Sequence, residues 1–147
     1  MPELRPDPIR TTRSEGETVR VAREWAACLR AGDVVLLYGD LGSGKTAFVR
    51  GLAEGLGVDP EEVSSPTFTI IQQYGGGRVP LLHVDLYRLE PREVNDLGLD
   101  ELGADAVVAV EWAERLPRMP PGRTFHVTLR HAGDNAREIA FEPPPEP

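Results

Sequence analysis

The segment from Val34 to Leu56 most constrains what this chain can fold into. It begins with the apolar run Val34–Tyr38 and continues through Gly39–Thr46, which fits the pattern G-x-x-x-x-G-K-[ST]. Apolar residues then recur at helical spacing until Gly57, a helix stop signal. A continuous apolar run is typical of a strand buried on both faces. Strand, glycine-rich loop and helix in this order predict a phosphate-binding loop, or P-loop.

The lysine of this motif, Lys45, is the only lysine in the chain. Every other member of its 16 Lys and Arg residues is arginine. Lysine carries a compact point charge that fits between phosphates, whereas the guanidinium group of arginine is a planar fork. We predict that Lys45 neutralises phosphate charge and that the Thr46 hydroxyl binds Mg²⁺. The predicted nucleotide-binding residues are Gly39, Asp40, Leu41, Gly42, Ser43, Gly44, Lys45 and Thr46.

Length and composition indicate the class of protein. A chain of 147 residues with 40% hydrophobic and 27% charged residues is typical of one globular domain, which we place at residues 1–142. The tail Pro143–Pro147 fits neither a helix nor a sheet, and we expect it to be disordered. No apolar stretch is long enough to span a membrane, and the N-terminus lacks an apolar signal core. We therefore expect a cytoplasmic protein without membrane contact.

Charge and cysteine content limit the partners and the chemistry. With a net charge of −8, the chain lacks the basic balance that gripping a nucleic-acid backbone by itself requires. The single cysteine, Cys28, excludes a disulfide framework and falls in a helical pattern. We expect Cys28 to be a small core residue and not a nucleophile.

Apolar periodicity and turn residues predict alternating strands and helices along the rest of the chain. Ser14 and Glu17 form a capping-box pattern ahead of a helix that stops at Gly32. A glycine run at 75–77 predicts the turn of a hairpin. The predicted strands are Ile9–Thr12, Phe68–Tyr74, Val79–Leu86, Ala106–Val110, Phe125–Arg130 and Glu138–Phe141, with one or two short helices in Pro91–Leu102.

Two predicted strands end in acids, as a P-loop protein needs for holding Mg²⁺ or its waters. These acids are Asp85 and Glu111, and having both beside a P-loop predicts that at least one acts on the metal. His83 shares the face of Asp85 because it lies two residues earlier in the same strand. It could touch a phosphate or orient water, but an ordinary hydrogen-bonded histidine is the favoured interpretation. Trp112 could stack on a base or pack in the core.

The loop after the P-loop helix offers a candidate for sensing the terminal phosphate. Thr67 follows Ser65-Pro66 at the distance where nucleotide switches place a threonine near the γ-phosphate, but Ser-Pro is also a common turn pair. Both interpretations stay open. Guanine recognition by an Asn-Lys-x-Asp segment is impossible because the only lysine belongs to the P-loop, so ATP is favoured over GTP.

Four motifs in order closely resemble one family, TsaE (also called YjeE). The resemblance runs from about Ser14 to Arg137, and the motifs are Gly39–Thr46, Ser65–Phe68, His83–Arg88 and Val110–Trp112. It implies an α/β, P-loop NTPase-type three-layer fold with a mixed, mainly parallel central sheet and β-hairpin additions. It also implies a Mg²⁺-dependent ATPase of low intrinsic activity that its partners stimulate. The process it implies is threonylcarbamoyl transfer to adenosine 37 of tRNAs that read ANN codons.

The same resemblance implies partners and site residues. Thr46 and Glu111 would hold Mg²⁺, and Asp85 would act in hydrolysis. From the residues themselves, Lys45 and Thr67 join Asp85 in the predicted catalytic set, and Asp85 is a further candidate for the metal. Ser14 at the first helix and Arg137 in a late segment would lie near the nucleotide, with Ala136 standing where the family has glycine. The implied partners are TsaD and TsaB, with tRNA contacted only through that complex, and a monomer or weak self-association when the protein is alone.

Two other functions remain open from the residues. A small-molecule P-loop kinase would use the same loop with an arginine-bearing lid, although no phosphate-acceptor site is legible. A nucleotide-gated binding module would use turnover only to reset a complex. Phosphate release without an added acceptor counts against the kinase, and hydrolysis that rises only with a partner favours the module.

Overall fold

The computed structural model describes residues 9–39, 44–59, 61, 63, 71–87, 89–95 and 97–143. The predicted strand start at Phe68, the Ser65–Thr67 segment and the tail Pro144–Pro147 lie outside these residues. The division into a domain and a disordered tail therefore stays a prediction.

Strands and helices alternate along the described residues. The strands are β1 (Ile9–Thr12), β2 (Val34–Tyr38), β3 (Ile71–Tyr74), β4 (Leu81–Asp85), β5 (Val107–Glu111), β6 (Thr124–His131) and β7 (Arg137–Glu142). The α-helices are α1 (Glu15–Trp25), α2 (Lys45–Leu56), α3 (Pro91–Asn95) and α4 (Leu99–Leu102), with short 3₁₀ turns at Ala26–Cys28 and Ala113–Arg115. Within these residues, no helix has the length and apolar character needed to cross a membrane.

The described strands form one seven-stranded sheet in the order β1-β7-β6-β2-β5-β4-β3. The four central strands β6, β2, β5 and β4 run parallel to one another. Strands β1, β7 and β3 pair antiparallel at the edges, so the predicted hairpin around residues 75–77 is present, and β6 and β7 form a second one. A mixed sheet with a parallel centre and hairpin additions confirms the expected fold class.

Helix α1 begins as its capping pattern predicts. The backbone of Ser14 is extended, and its hydroxyl accepts a hydrogen bond from the Glu17 N–H at 3.1 Å. The Glu17 carboxylate reaches back to the N–H of Arg13 at 2.5 Å, one residue before the position that a standard capping box uses. The helix start is thereby tied down on both sides, which places Ser14 firmly at the rim of the sheet.

The core divides into two clusters, one on each face of the sheet. Alternate residues of β2 belong to different clusters, Val35 and Leu37 to the first and Val34 and Leu36 to the second. Helices α1 and α2 cover the first cluster, which contains five aromatic residues: Trp25, Phe48, Tyr74, Phe125 and Phe141. Short helices α3 and α4 cover the second cluster.

The expectation for Cys28 is wrong. Its side chain is exposed because the chain ends helix α1 at Trp25 and turns through Ala26–Cys28, so only Ala26 of that turn is buried. The helical spacing that predicted burial stops one turn too early for Cys28 to face the core.

Candidate functional site

A cleft at the carboxyl ends of the central parallel strands is lined by the predicted site residues that the structure describes, except Gly39. Strands β2, β4 and β5 end there, and helix α2 begins beside them. Ligands of open parallel sheets bind outside these strand ends. The cleft has a volume of about 610 Å³ and is lined by Ser14, Glu15, Thr18, Gly44, Lys45, Thr46, Ala47, Arg50, Asp85, Glu111, Trp112, Asn135 and Arg137.

A second, smaller groove lies near the starts of β2 and β5 and has a volume of about 360 Å³. Apolar residues, glycines and prolines make up much of its lining, and none of the predicted site residues belongs to it. The first cleft is therefore the candidate site.

Lys45 lies at the centre of the cleft and is only 6% exposed. Its Nζ donates a hydrogen bond to the carbonyl oxygen of Gly39 at 2.7 Å and lies 4.7 Å from the ring centroid of Trp112. Gly44 precedes it with φ of 104°, a left-handed conformation that favours glycine. The lysine is thus held at the start of helix α2, where the helix dipole adds positive potential.

The two acids lie side by side at the ends of neighbouring strands. Asp85 of β4 is the register partner of Glu111 of β5, so their side chains lie on the same face of the sheet. The hydroxyl-bearing Thr46 lines the same cleft from helix α2. Three oxygen-bearing side chains therefore line one cleft, as the sequence predicts.

Glu111 is buried and hydrogen-bonded to a histidine. It is 4% exposed, and its Oε2 lies 2.5 Å from Nε2 of His83, which is 0% exposed. The other ring nitrogen, Nδ1, is buried and has no hydrogen-bond partner within the part of the chain that the structure describes. His83 is hydrogen-bonded, as the favoured interpretation expects, and its partner is the candidate metal ligand, which periodicity could not identify.

Asp85 has an unusual electrostatic environment. Burial raises the pKa of its carboxyl group above the ordinary value, and the nearby Glu111 raises it further. The Tyr87 N–H, which donates to Oδ1 at 2.9 Å, and the charges of His83 and Lys45 lower the pKa but do not cancel the effect of burial. A perturbed carboxyl group in a cleft is typical of a functional position.

Ser14 and Arg137 line the cleft from the opposite side, as the family resemblance implies. The Arg137 guanidinium donates to the carbonyl oxygen of Ala136 at 2.9 Å. Sequence reasoning missed four polar residues of the cleft, which are Glu15, Thr18, Arg50 and Asn135. Arg50 lies one helical turn after Thr46, a spacing that could have placed it on the same side of α2. It forms an ion pair with Glu15 at 2.9 Å.

Several predicted site residues lie outside the described residues. These are Asp40, Leu41, Gly42 and Ser43 of the P-loop motif, and Thr67 of the candidate switch. Their predicted roles stay predictions.

The fold and the cleft define a mixed α/β protein with the connections of P-loop proteins. A central parallel strand leads through a glycine-rich segment into helix α2, and acids end two of the parallel strands. The chain belongs to the TsaE family, described as "Threonylcarbamoyl adenosine biosynthesis protein TsaE", which it matches over residues 12–139. The resemblance seen in the four motifs is confirmed.

Individual relatives share this description. A tRNA threonylcarbamoyladenosine biosynthesis protein TsaE from Bacillus subtilis is 48% identical over 126 residues, which cover 85% of this chain and 78% of that protein. A protein of the same name from Treponema pallidum is 42% identical over 130 residues, covering 87% of this chain and 95% of its own.

A solved structure is similar in fold as well as in sequence. The crystal structure of Bacillus subtilis YdiB superimposes with a TM-score of 0.70 at 40% sequence identity, covering 90% of this chain and 82% of the other. The arrangement of a seven-stranded mixed sheet is therefore shared with a structure solved by experiment.

Proposed function

We propose that this protein is an ATP-binding and ATP-hydrolysing accessory protein for threonylcarbamoyl transfer to adenosine 37 of tRNAs that read ANN codons. In this proposal it acts in the cytoplasm with homologues of TsaD and TsaB. The single observation that carries the proposal is the cleft in which Lys45, Thr46, Asp85 and Glu111 meet. The process itself comes from the names of the relatives, which are tRNA threonylcarbamoyladenosine biosynthesis proteins.

The cleft suits the phosphates of a nucleotide. Lys45 supplies a buried positive charge at the start of helix α2, where backbone N–H groups and the helix dipole also favour anions. The nucleotide is ATP in this proposal because the chain has no second lysine for a guanine-reading Asn-Lys-x-Asp segment.

The donor atoms of the cleft fit Mg²⁺. Thr46, Glu111 and Asp85 offer hard oxygen ligands, and Mg²⁺ usually takes one or two carboxylates together with waters and substrate phosphates. Among the described residues, no group of three His, Cys, Asp or Glu side chains could hold a metal by itself. Bound there, Mg²⁺ would neutralise charge on the phosphate oxygens.

The two acids take different roles in the proposal. Glu111 is buried and held by His83, which suits a fixed ligand. Asp85 is half-buried, and one of its oxygens accepts the Tyr87 N–H, which orients the carboxylate at the edge of the cleft. A carboxylate placed there can accept a hydrogen bond from an attacking water and so orient it.

Net charge supports an accessory role and not a direct grip on tRNA. The net charge of −8 gives the protein no overall basic character, so it does not favour binding to a phosphate backbone. The TsaD–TsaB complex would contact the tRNA, while this protein alone stays a monomer or associates weakly.

Substitution of the single lysine tests the proposal. Lys45→Arg keeps the charge but replaces a point charge by a planar fork, and we expect loss of both ATP binding and turnover. Arg92→Lys, the reverse exchange at an exposed position of α3, is the matched control and should leave both unchanged. Near-normal ATP affinity and turnover in Lys45→Arg would refute the proposal. ADP formation that requires an added small-molecule acceptor, with the phosphoryl group transferred to that acceptor and no free phosphate released, would favour a kinase.

Paired substitutions test the division of labour between the acids. Glu111→Gln should weaken Mg²⁺-dependent ATP binding, because a neutral amide is a poorer ligand for a hard cation. Asp85→Asn should reduce turnover more than binding. The opposite pattern would exchange the two roles.

Calorimetry tests the partnership. If ATP favours the conformation that TsaD–TsaB binds, that complex must tighten ATP binding by the same factor by which ATP tightens complex formation. The proposal assigns the coupling to Thr67, so Thr67→Ala should weaken it. If the wild type and Thr67→Ala both bind ATP equally well with and without the complex, and turnover is also unchanged, the protein is a simple hydrolase and not a switch.

A further inference from the structure

His83 is a fully buried histidine with a single polar contact among the described residues. It is 0% exposed on strand β4, and its Nε2 lies 2.5 Å from Oε2 of Glu111 on β5. A carboxylate oxygen only accepts hydrogen bonds, so Nε2 carries the hydrogen. No hydrogen bond from any residue that the structure describes reaches Nδ1.

Fold stability does not account for a histidine at this position. Burying a polar ring and a carboxylate removes both from water, and the unpaired Nδ1 loses its hydrogen bond to solvent without replacement. The neighbouring buried positions of β4 are Leu81, Leu82 and Val84, so an apolar side chain is what this strand otherwise carries. We therefore explain His83 by its contact with Glu111 and not by a contribution to stability.

The register of the sheet aims His83 at Glu111. His83 is the partner of Ala109 in the parallel pair β4–β5, so Glu111 is its diagonal neighbour two residues further along, on the same face. The contact uses Oε2 of Glu111 and does not involve Oε1. The strand ends at Glu111, and the next residue, Trp112, has a φ of 60°. Without the histidine the carboxylate would be a side chain at a strand end with a choice of rotamers.

We propose that His83 is a positioning residue for the metal site. Its Nε2–H holds Oε2 of Glu111 and so fixes the rotamer in which Oε1 is presented to Mg²⁺ in the cleft. This inference rests on the proposed function, because it needs Glu111 to be a metal ligand. At many metal sites, a residue that does not touch the metal orients a ligand by a hydrogen bond, and His83 has this role in the proposal.

Two amide substitutions separate positioning from polarity. The amide nitrogen of glutamine lies as many bonds from Cα as Nε2 does, so His83→Gln can still donate to Glu111. The amide nitrogen of asparagine matches the reach of Nδ1 instead, so His83→Asn keeps an amide but loses the contact. His83→Leu removes all polarity, and His131→Leu at the exposed end of β6 is the control for removing a histidine.

Metal binding is the readout, with Mn²⁺ as a paramagnetic substitute for Mg²⁺ and a non-hydrolysable ATP analogue. Free Mn²⁺ is measured by electron paramagnetic resonance, and folding of each variant by thermal unfolding. We expect His83→Asn and His83→Leu to weaken Mn²⁺ binding roughly 10- to 100-fold. His83→Gln and His131→Leu should stay close to the wild type. Affinity for the analogue without metal should be unchanged in all variants.

A double variant shows whether His83 acts through Glu111. If it does, adding His83→Asn to Glu111→Gln should weaken Mn²⁺ binding no further than Glu111→Gln alone. Additive losses would overturn the proposal, and so would wild-type Mn²⁺ affinity in His83→Asn and His83→Leu, whatever happens to their melting temperatures. If Glu111→Gln itself binds Mn²⁺ like the wild type, the metal role of Glu111 fails, and the proposed function fails with it in that respect.

Discussion

The two faces of the central sheet are covered very differently. Helices α1 and α2, of 11 and 12 residues, lie over the first face and enclose a cluster in which Trp25 contacts the rings of Phe48, Phe125 and Phe141. The second face carries α3 and α4, of 5 and 4 residues. The cleft opens where α2 begins, on the thickly covered face. Longer helices packed against the sheet form a more rigid support, and a rigid support keeps the side chains of the cleft in place.

Close contact between α1 and α2 depends on glycine. A Cβ atom at Gly51 would lie 2.3 Å from the carbonyl oxygen of Val19 and 2.5 Å from the Cβ of Ala22. At Gly55 it would lie 2.6 Å from the Cβ of Ala26. Two glycines one turn apart therefore let the backbones approach, although glycine by itself weakens a helix.

The largest expected effect is a loss of stability when the core of the better-covered face is disrupted. Leu52→Ala in α2 removes a fully buried side chain from the first cluster and should lower the free energy of unfolding by about 2–5 kcal/mol. The same exchange at Leu99 of α4, which is only partly buried, should cost clearly less. Urea denaturation of both variants measures the difference. Equal losses would show that the two faces contribute equally to stability.

A medium effect tests the contact between the long helices. Gly51→Ala inserts a methyl group where backbone atoms must shift, and we expect a loss of roughly 1–3 kcal/mol. Gly16→Ala is the matched control in α1, because the nearest heavy atom to the added Cβ, Oγ of Ser14, is 3.9 Å away. Relief of the low helix propensity of glycine should stabilise that variant by up to about 1 kcal/mol. A stabilised Gly51→Ala variant would show that the helices separate without cost.

The smallest effect concerns Asp85, a charged group on the well-packed face. Its raised pKa means that the folded protein binds this proton more tightly than the unfolded chain does. Its contribution to stability is therefore fully present below the ordinary carboxyl pKa and is lost as the pH rises through the folded pKa. Asp85→Asn cannot ionise, so it should unfold at a slightly higher temperature than the wild type at neutral pH.

The same experiment at low pH provides the check on Asp85. The advantage of Asp85→Asn should shrink below about pH 4, where the carboxyl group is protonated in both states. Thermal unfolding at the two pH values measures it, with Asp105→Asn at an exposed position as the control. An advantage that is independent of pH would contradict a cost of ionisation.

Most of the elements could be predicted from local pattern. Apolar runs placed β2 and β5, the glycine run placed the β3–β4 turn, and Ser14 marked the start of α1, because these signals act within a few residues. The hairpin turn also carries a contact that no pattern contains. A Cβ atom at Gly77 would lie 2.1 Å from the carbonyl oxygen of Leu56, so the turn packs against the end of α2.

The sequence by itself determined which functional side chains the cleft carries. Lys45 and Thr46 follow from a motif, and Asp85 and Glu111 follow from the rule that strands of this class end in acids. The family also follows, because four motifs occur in one order, and the comparison over residues 12–139 agrees.

Only the tertiary structure decided which strands are neighbours and which side chains meet. The order β1-β7-β6-β2-β5-β4-β3 joins strands that are distant in the chain, and it alone brings His83 to Glu111 and Asn135 to the cleft. The end of α1 at Trp25 likewise left Cys28 exposed against expectation. The physical reason is that periodicity tells which face of an element is apolar, whereas the partner of that face depends on the packing of the whole chain.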